Sequence, residues 1–169
     1  MKKAFIFAGL ALAGLLGFQY TVSSISVFIQ AAYLPNLTYD VAICVTRFIL
    51  GLFLLISAVA GIVLLAKSFK NKDDSSGCLV PSILLVLAAA MVVLGGLPIQ
   101  IVECSQGISF YSKYLEDPNL ANLNDRNVGV AKSYIAINTM YIFVSVIEAS
   151  FVSALAILSL VKSNEKKRD

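Results

Sequence analysis

Few residues in this chain are able to do chemistry, and two of them stand out by position. Glu148, within "VSVIEASFVS", and Arg47, within "CVTRFIL", are the two charges found inside four long apolar stretches. A carboxyl group at mid-bilayer costs roughly 2.5–3.5 kcal/mol on insertion scales, so it is expected to face the interior of a helix bundle and find a hydrogen-bond partner there. Depth names the candidates. With a rise of about 1.5 Å per residue, Glu148 lies about 21 Å along its stretch from Tyr134. The same depth in the other three stretches falls at Gln19, at Ser57 and at the alanines 88–90. The expectation is therefore a buried polar layer of Glu148, Gln19 and Ser57.

Gln19 also begins a stripe, Gln19, Ser23, Ser26 and Gln30, whose spacing of four, three and four keeps it on one helix face, expected to look inward. Two roles are open to these groups. They can act as structural glue, or as a proton or cation relay running from Glu148 along Ser23, Ser26 and Gln30; the glue reading is preferred, since no pair of broken helices or inverted repeat accompanies the acid. Arg47 sits about 9 Å from the near end of its stretch, shallow enough for its stem to reach toward Glu103 or Asp40.

Much catalytic chemistry is missing. The chain has no histidine, the commonest general base and metal ligand, and no Cys-x-x-Cys pair, phosphate-cradling glycine loop or Ser-Lys dyad. No metal or cofactor is expected. A membrane-embedded lipid-modifying enzyme relying on Glu148 ranks third among the function classes, behind an organising or accessory subunit and a pore or transport subunit.

The elements that must position these residues follow from composition. Hydrophobic residues make up 59% of the 169 and charged residues 14%, about half the charged share of a soluble domain, and mean hydropathy is +0.86. A lipid bilayer is the solvent this implies. The four apolar stretches, 4–34, 41–66, 78–102 and 134–161, each reach the roughly 20 residues a helix needs to cross the hydrocarbon core. An all-α, four-helix transmembrane bundle is expected, one membrane domain covering 1–169. The alternative for the first stretch is a cleaved secretory signal, since "MKKAFIFAGLALAGLLGF" has a basic start and an apolar run; apolar residues continuing through Leu34 favour a retained helix.

The net charge of +3 is no nucleic-acid footprint, because the basic residues are scattered through connecting segments. They report orientation. Nine of them (Lys2, Lys3, Lys67, Lys70, Lys72, Lys162, Lys166, Lys167 and Arg168) flank one set of helix ends, against Lys113, Arg126 and Lys132 at the other. Both termini are accordingly expected in the cytosol, with the longer loop, 103–133, on the far side. In that loop Ile108, Tyr111, Tyr114 and Leu115 recur at helical spacing and predict a short amphipathic helix.

Three cysteines complete the inventory. On this topology Cys44 and Cys104 share the non-cytosolic face, where a disulfide between them is one reading and two small buried apolar side chains the other. Cys78 is expected to stay unpaired. The segment 36–38 carries an Asn-Leu-Thr glycosylation sequon, close to the bilayer. The tail "NEKKRD" places Lys166 and Lys167 as a dilysine retrieval signal of the endoplasmic reticulum does, or as a plain basic flank. Small residues recur every fourth position at Gly9, Ala13 and Gly17, at Ser57 and Gly61, and at Ser145, Ala149 and Ser153, which marks faces where helices meet, within the chain, in a second copy or in other membrane proteins.

Two stretches resemble the membrane-spanning four-domain, subfamily A proteins. "FLLISAVAGIVLLAK" is similar to their small-residue-rich second helix, and "VSVIEASFVSALAIL" to their fourth, with Glu148 where they carry an acid. The resemblance implies a non-enzymatic, self-associating membrane protein that modulates receptors or ion flux.

Overall fold

The computed structural model describes residues 2–33, 41–70, 77–116 and 125–165. Every regular element among them is helical. That is the outcome lipid enforces, since a helix satisfies its backbone hydrogen bonds within one segment. α1 runs Lys2–Tyr33, α2 Val41–Lys70, α3 Leu79–Met91, α4 Leu97–Glu116 and α5 Asp125–Glu165, and a π-helical turn, Val92–Gly96, joins α3 to α4. Four stretches are long and apolar enough to cross a membrane: Lys2–Ile29, Val41–Phe69, Leu79–Glu116 and Val128–Val161. The chain is a multi-pass, membrane-embedded helical protein.

The elements form two compact units, residues 1–96 with 149–169, and residues 97–148. In the first, α1 and α2 make an antiparallel pair. Among the described residues, those buried along α2 are Cys44, Arg47, Gly51, Leu54, Ala58, Gly61, Leu65 and Ser68. Their spacing alternates three and four without a slip, which is the seam of helices packed in a seven-residue repeat. α1 answers with Leu10 against Gly61, Gly14 against Ala58, and Gly17 and Thr21 against Gly51.

At the crossing the backbones nearly touch. A Cβ on Gly17 would lie 2.8 Å from the Gly51 carbonyl oxygen and 2.9 Å from the Leu55 nitrogen, and one on Gly51 would lie 2.8 Å from the Gly17 oxygen. Only glycine fits at either place, because the obstructing atoms are main chain and cannot swing aside. α1 is buried on a second flank as well. Gly9 abuts Leu85 of α3 and Leu155 in the terminal part of α5, so α1 is the helix around which this unit assembles.

The π-helical turn between α3 and α4 has a local cause. Pro98 has no N–H to donate to the Leu94 carbonyl and its ring crowds that oxygen, so a regular turn cannot pass through it. The wider π turn immediately before it absorbs the mismatch. Its glycines leave room for neighbours from α1 and α2. A Cβ on Gly96 would come 2.6 Å from the buried Tyr20 hydroxyl oxygen, and one on Gly95 would come 3.3 Å from a Leu50 methyl.

The second unit pairs α4 with residues 125–148 of α5, again antiparallel. Tyr111 and Tyr134 stack with ring centroids 4.8 Å apart and planes 4° from parallel, and Phe110 meets Tyr111 edge-on at 5.2 Å. One turn along, a Cβ on Gly107 would meet the Asn138 amide nitrogen at 2.9 Å. These contacts correct the expected third span and outer loop. The helix does not stop at Val102 but continues to Glu116, and the next is already formed at Asp125. Ile108, Tyr111, Tyr114 and Leu115 thus extend the third spanning helix instead of forming a separate one.

The Gly17 and Gly51 crossing yields a prediction. Gly17→Val or Gly51→Val drives side-chain carbon into main chain and is expected to destabilise the fold by about 1–3 kcal/mol. The double variant should cost much less than the sum, since both changes open the same gap. Detergent-titrated unfolding of the three variants reads this; additive losses would mean that the two glycines do not share one contact.

Candidate functional site

The polar residues buried in the spans are hydroxyls, with one arginine. A serine in a transmembrane helix can return its proton to the carbonyl one turn earlier, which removes the cost of an unsatisfied donor without help from a neighbouring helix. That is what happens here. Ser24 donates to the Tyr20 carbonyl at 2.9 Å, Ser82 to Cys78 at 2.8 Å, Ser145 to Tyr141 at 2.8 Å, Ser68 to Leu65 at 2.8 Å and Ser159 to Ala156 at 2.7 Å. Thr21 and Ser153 do the same at 2.8 Å and 2.7 Å.

The expected inward stripe is corrected by the phase of α1. Its buried residues are Ile6, Gly9, Leu10, Ala13, Leu16, Gly17, Tyr20 and Ser24, a face fixed by the glycine contacts with α2 and α3. Gln19 lies two residues past Gly17, about 200° round the helix at 100° per residue, and is exposed. Ser26 is exposed too, Ser23 is half-buried, and the side chain of Gln30 lies outside the described residues. The hydroxyl that does point inward is Ser24, one place away from the stripe.

In the expected layer of Glu148, Gln19 and Ser57, the pairing of Gln19 with Ser57 is corrected with it. Ser57 is half-buried beside Ala58 on the α1 side of α2, whereas Gln19 looks away from that seam. Glu148 is half-buried and belongs to the second unit. On its own helix it sits within a turn of the buried residues Ser145, Ala149 and Val152, so it shares the packed face of α5. Of the spaced small residues, Gly9, Ala13, Gly17, Gly61, Ser145 and Ala149 are buried, and Ser57 and Ser153 half-buried.

Arg47 is buried, 8% exposed, one turn before Gly51 in the α2 seam. Glu103 is half-buried on α4, and Asp40 lies outside the described residues, as do Lys166, Lys167 and the 36–38 sequon. Cys44, Cys78 and Cys104 are free thiols, all buried, so of the two readings for Cys44 and Cys104 the disulfide is not formed. The thiol of Cys104 instead accepts from the Gln100 amide one turn back, at 3.5 Å. Burial as small apolar side chains accounts for all three.

One polar contact escaped sequence reasoning. The Lys3 ammonium donates to the Ser68 carbonyl at 3.2 Å and lies 4.7 Å from the Phe69 ring centroid. It thereby places a cation on the carbonyl end of α2, where the helix dipole favours it, and fastens the start of α1 there. A lysine at position 3 reads only as an orientation signal until the antiparallel register is known.

These features define a class: a multi-pass membrane protein whose helices pack on glycine and serine seams, with an amide turned outward from one span. The chain matches no family model, no curated protein and no solved structure.

Proposed function

We propose that this chain is a non-enzymatic organising or accessory subunit of a membrane complex. The observation that carries the reading is the outward amide of Gln19, with Ser26 on the same face, in a segment apolar and long enough to span the bilayer. A lone chain would leave the Gln19 amide against lipid tails that offer no hydrogen bond. Contact with another membrane helix supplies one, and interhelical polar contacts of this kind hold membrane helices together. The resemblance to the membrane-spanning four-domain, subfamily A proteins favours the same reading. The charge asymmetry favours cytosolic termini, and a retrieval role for Lys166 and Lys167 favours residence in the endoplasmic reticulum or another secretory-pathway membrane.

Affinity tags at Met1 and Asp169 test the proposal. In sealed vesicles both are expected to be accessible from the cytosolic side, and in mild detergent either tag should bring down the same stoichiometric membrane partners. Recovery of the chain with no companion protein from its native membrane would contradict the reading.

Glu148 on the packed face of α5 favours one second reading, a proton or cation path. Its test separates the two. Glu148→Gln keeps shape and hydrogen-bonding capacity, so an organising subunit should assemble and melt as before, while Glu148→Leu removes the interhelical hydrogen bond that this role gives the carboxyl, worth about 0.6–1.7 kcal/mol. A transport subunit would show a wild-type proton or cation flux in proteoliposomes that Glu148→Gln abolishes.

A further inference from the structure

One end of the first unit gathers positive charge that its own helices do not answer. Lys3 is fixed there, its ammonium 3.2 Å from the Ser68 carbonyl oxygen and 4.7 Å from the Phe69 ring centroid. The contact joins segments 65 residues apart. It brings Lys2, half-buried, and Lys67, exposed, to the same end of the α1 and α2 pair, each one residue from a member of the contact. Like charges gathered in this way repel one another. Residues 2–33, 41–70 and 77–96 contain no Asp or Glu, so these helices carry no carboxylate to offset them. Lys3 is committed to the fold, since it satisfies the carbonyl end of α2. Among the described residues, nothing takes up the ammonium of Lys2 or of Lys67 in the same way.

The surface beneath this charge is apolar and open. Phe7 lies one turn past Lys3 on the same face of α1 and is 52% exposed, and Phe69, beside the Lys3 ammonium, is 64% exposed. Lys2 and Phe69 each stand at the very end of a stretch able to cross a membrane, Lys2–Ile29 and Val41–Phe69. The ammonium groups therefore sit at the rim of the apolar surface, at the level where headgroups lie. A soluble anion would use the rim alone, whereas a molecule anionic at one end and hydrocarbon at the other uses both. We propose that this end of the α1 and α2 pair binds an anionic phospholipid, with Lys2 and Lys67 donating to its phosphate oxygens and an acyl chain lying along Phe7. Each lysine near a membrane surface favours an acidic lipid by about fivefold. A zwitterionic lipid is disfavoured at the same place, because its own cation meets two ammonium groups. The inference goes beyond the organising role and does not depend on it, and a bilayer with the same lipids in both leaflets frees it from the direction of insertion as well.

The chain has no tryptophan, so one introduced at Phe7 reports on its immediate surroundings. The full chain with Phe7→Trp is reconstituted into phosphatidylcholine vesicles holding a minor share of phosphatidylserine, with bromine on the acyl chains of one lipid or the other. Bromine quenches tryptophan on contact. Weighted by its share, brominated phosphatidylserine is expected to quench more than brominated phosphatidylcholine, a preference of about fivefold to twenty-fivefold for two lysines. Lys2→Gln combined with Lys67→Gln should bring the two lipids near parity and, because Lys3 is kept, leave the melting of the protein unchanged. Ile157→Trp is the control. Ile157 is 59% exposed on α5, and it lies at the depth of Phe7, because Leu155 abuts Gly9 and the two helices run in opposite directions. Position 157 should show near parity with every lysine present, a comparison that stands even if the double lysine variant melts early. Parity at position 7, a preference that survives the loss of Lys2 and Lys67, or the same preference at position 157 would overturn the inference, the last by showing diffuse surface charge in place of a site.

Discussion

The approach of α1 and α2 at Gly17 and Gly51 is the constraint on which the rest depends. With main chain against main chain there, neither helix is free to rotate about its axis by even one residue position. That phase decides everything else on α1: Tyr20 and Ser24 turn in, Gly9 turns toward α3 and α5, and Gln19 turns out. In lipid no hydrophobic force presses helices together, so close packing and polar contacts must fix such a geometry. The Lys3 clamp on the end of α2 fastens one extremity of the same seam.

The polar groups divide in two by how they are satisfied. Buried serines bond to their own helices and leave no demand on neighbours, so they permit close packing while adding no specificity between helices. Gln19 has a longer side chain with two donors and an acceptor oxygen. Placed outward in a span, it has more donors and acceptor sites than its own helix turn satisfies, and a neighbouring helix can meet the rest. A bundle whose interior is closed in this way and whose exterior carries an amide is suited to joining other helices, and that contrast is the physical basis of the proposed role.

Much of the fold was legible in the sequence. The four apolar helical stretches and the absence of strand patterning follow from length and hydropathy. Helix phase was not. α2 is apolar on every side, so hydrophobicity cannot say which face is buried, and the decisive signal was small residues every seventh place (Cys44, Gly51, Ala58) where spacing by four had drawn attention to Ser57 and Gly61. On α1 a polar stripe was expected to look inward because lipid is costly for an amide, but tight glycine packing outweighed that cost and took the inner face. The extension of α4 past Val102 was hidden by Glu103, Gly107 and Lys113, which read as loop until the Tyr111 and Tyr134 stack shows a neighbouring helix to pack on. Glu148 is half-buried on α5, and depth alone could not name its partners, because depth fixes height along a helix and not direction.

The central proposal is that α1, packed against α2 on one flank and against α3 and the terminal part of α5 on another, has a further face around Gln19 that is met from outside the chain. Nitroxide labels placed singly at the exposed α1 positions Phe18, Gln19, Ile25 and Ser26, with the protein reconstituted into liposomes together with the membrane proteins that copurify with it, would report contact with lipid through collision with dissolved oxygen. The account predicts low collision at Gln19 and Ser26 and high collision at Phe18 and Ile25. Position 19 as open to oxygen as Phe18 would contradict it.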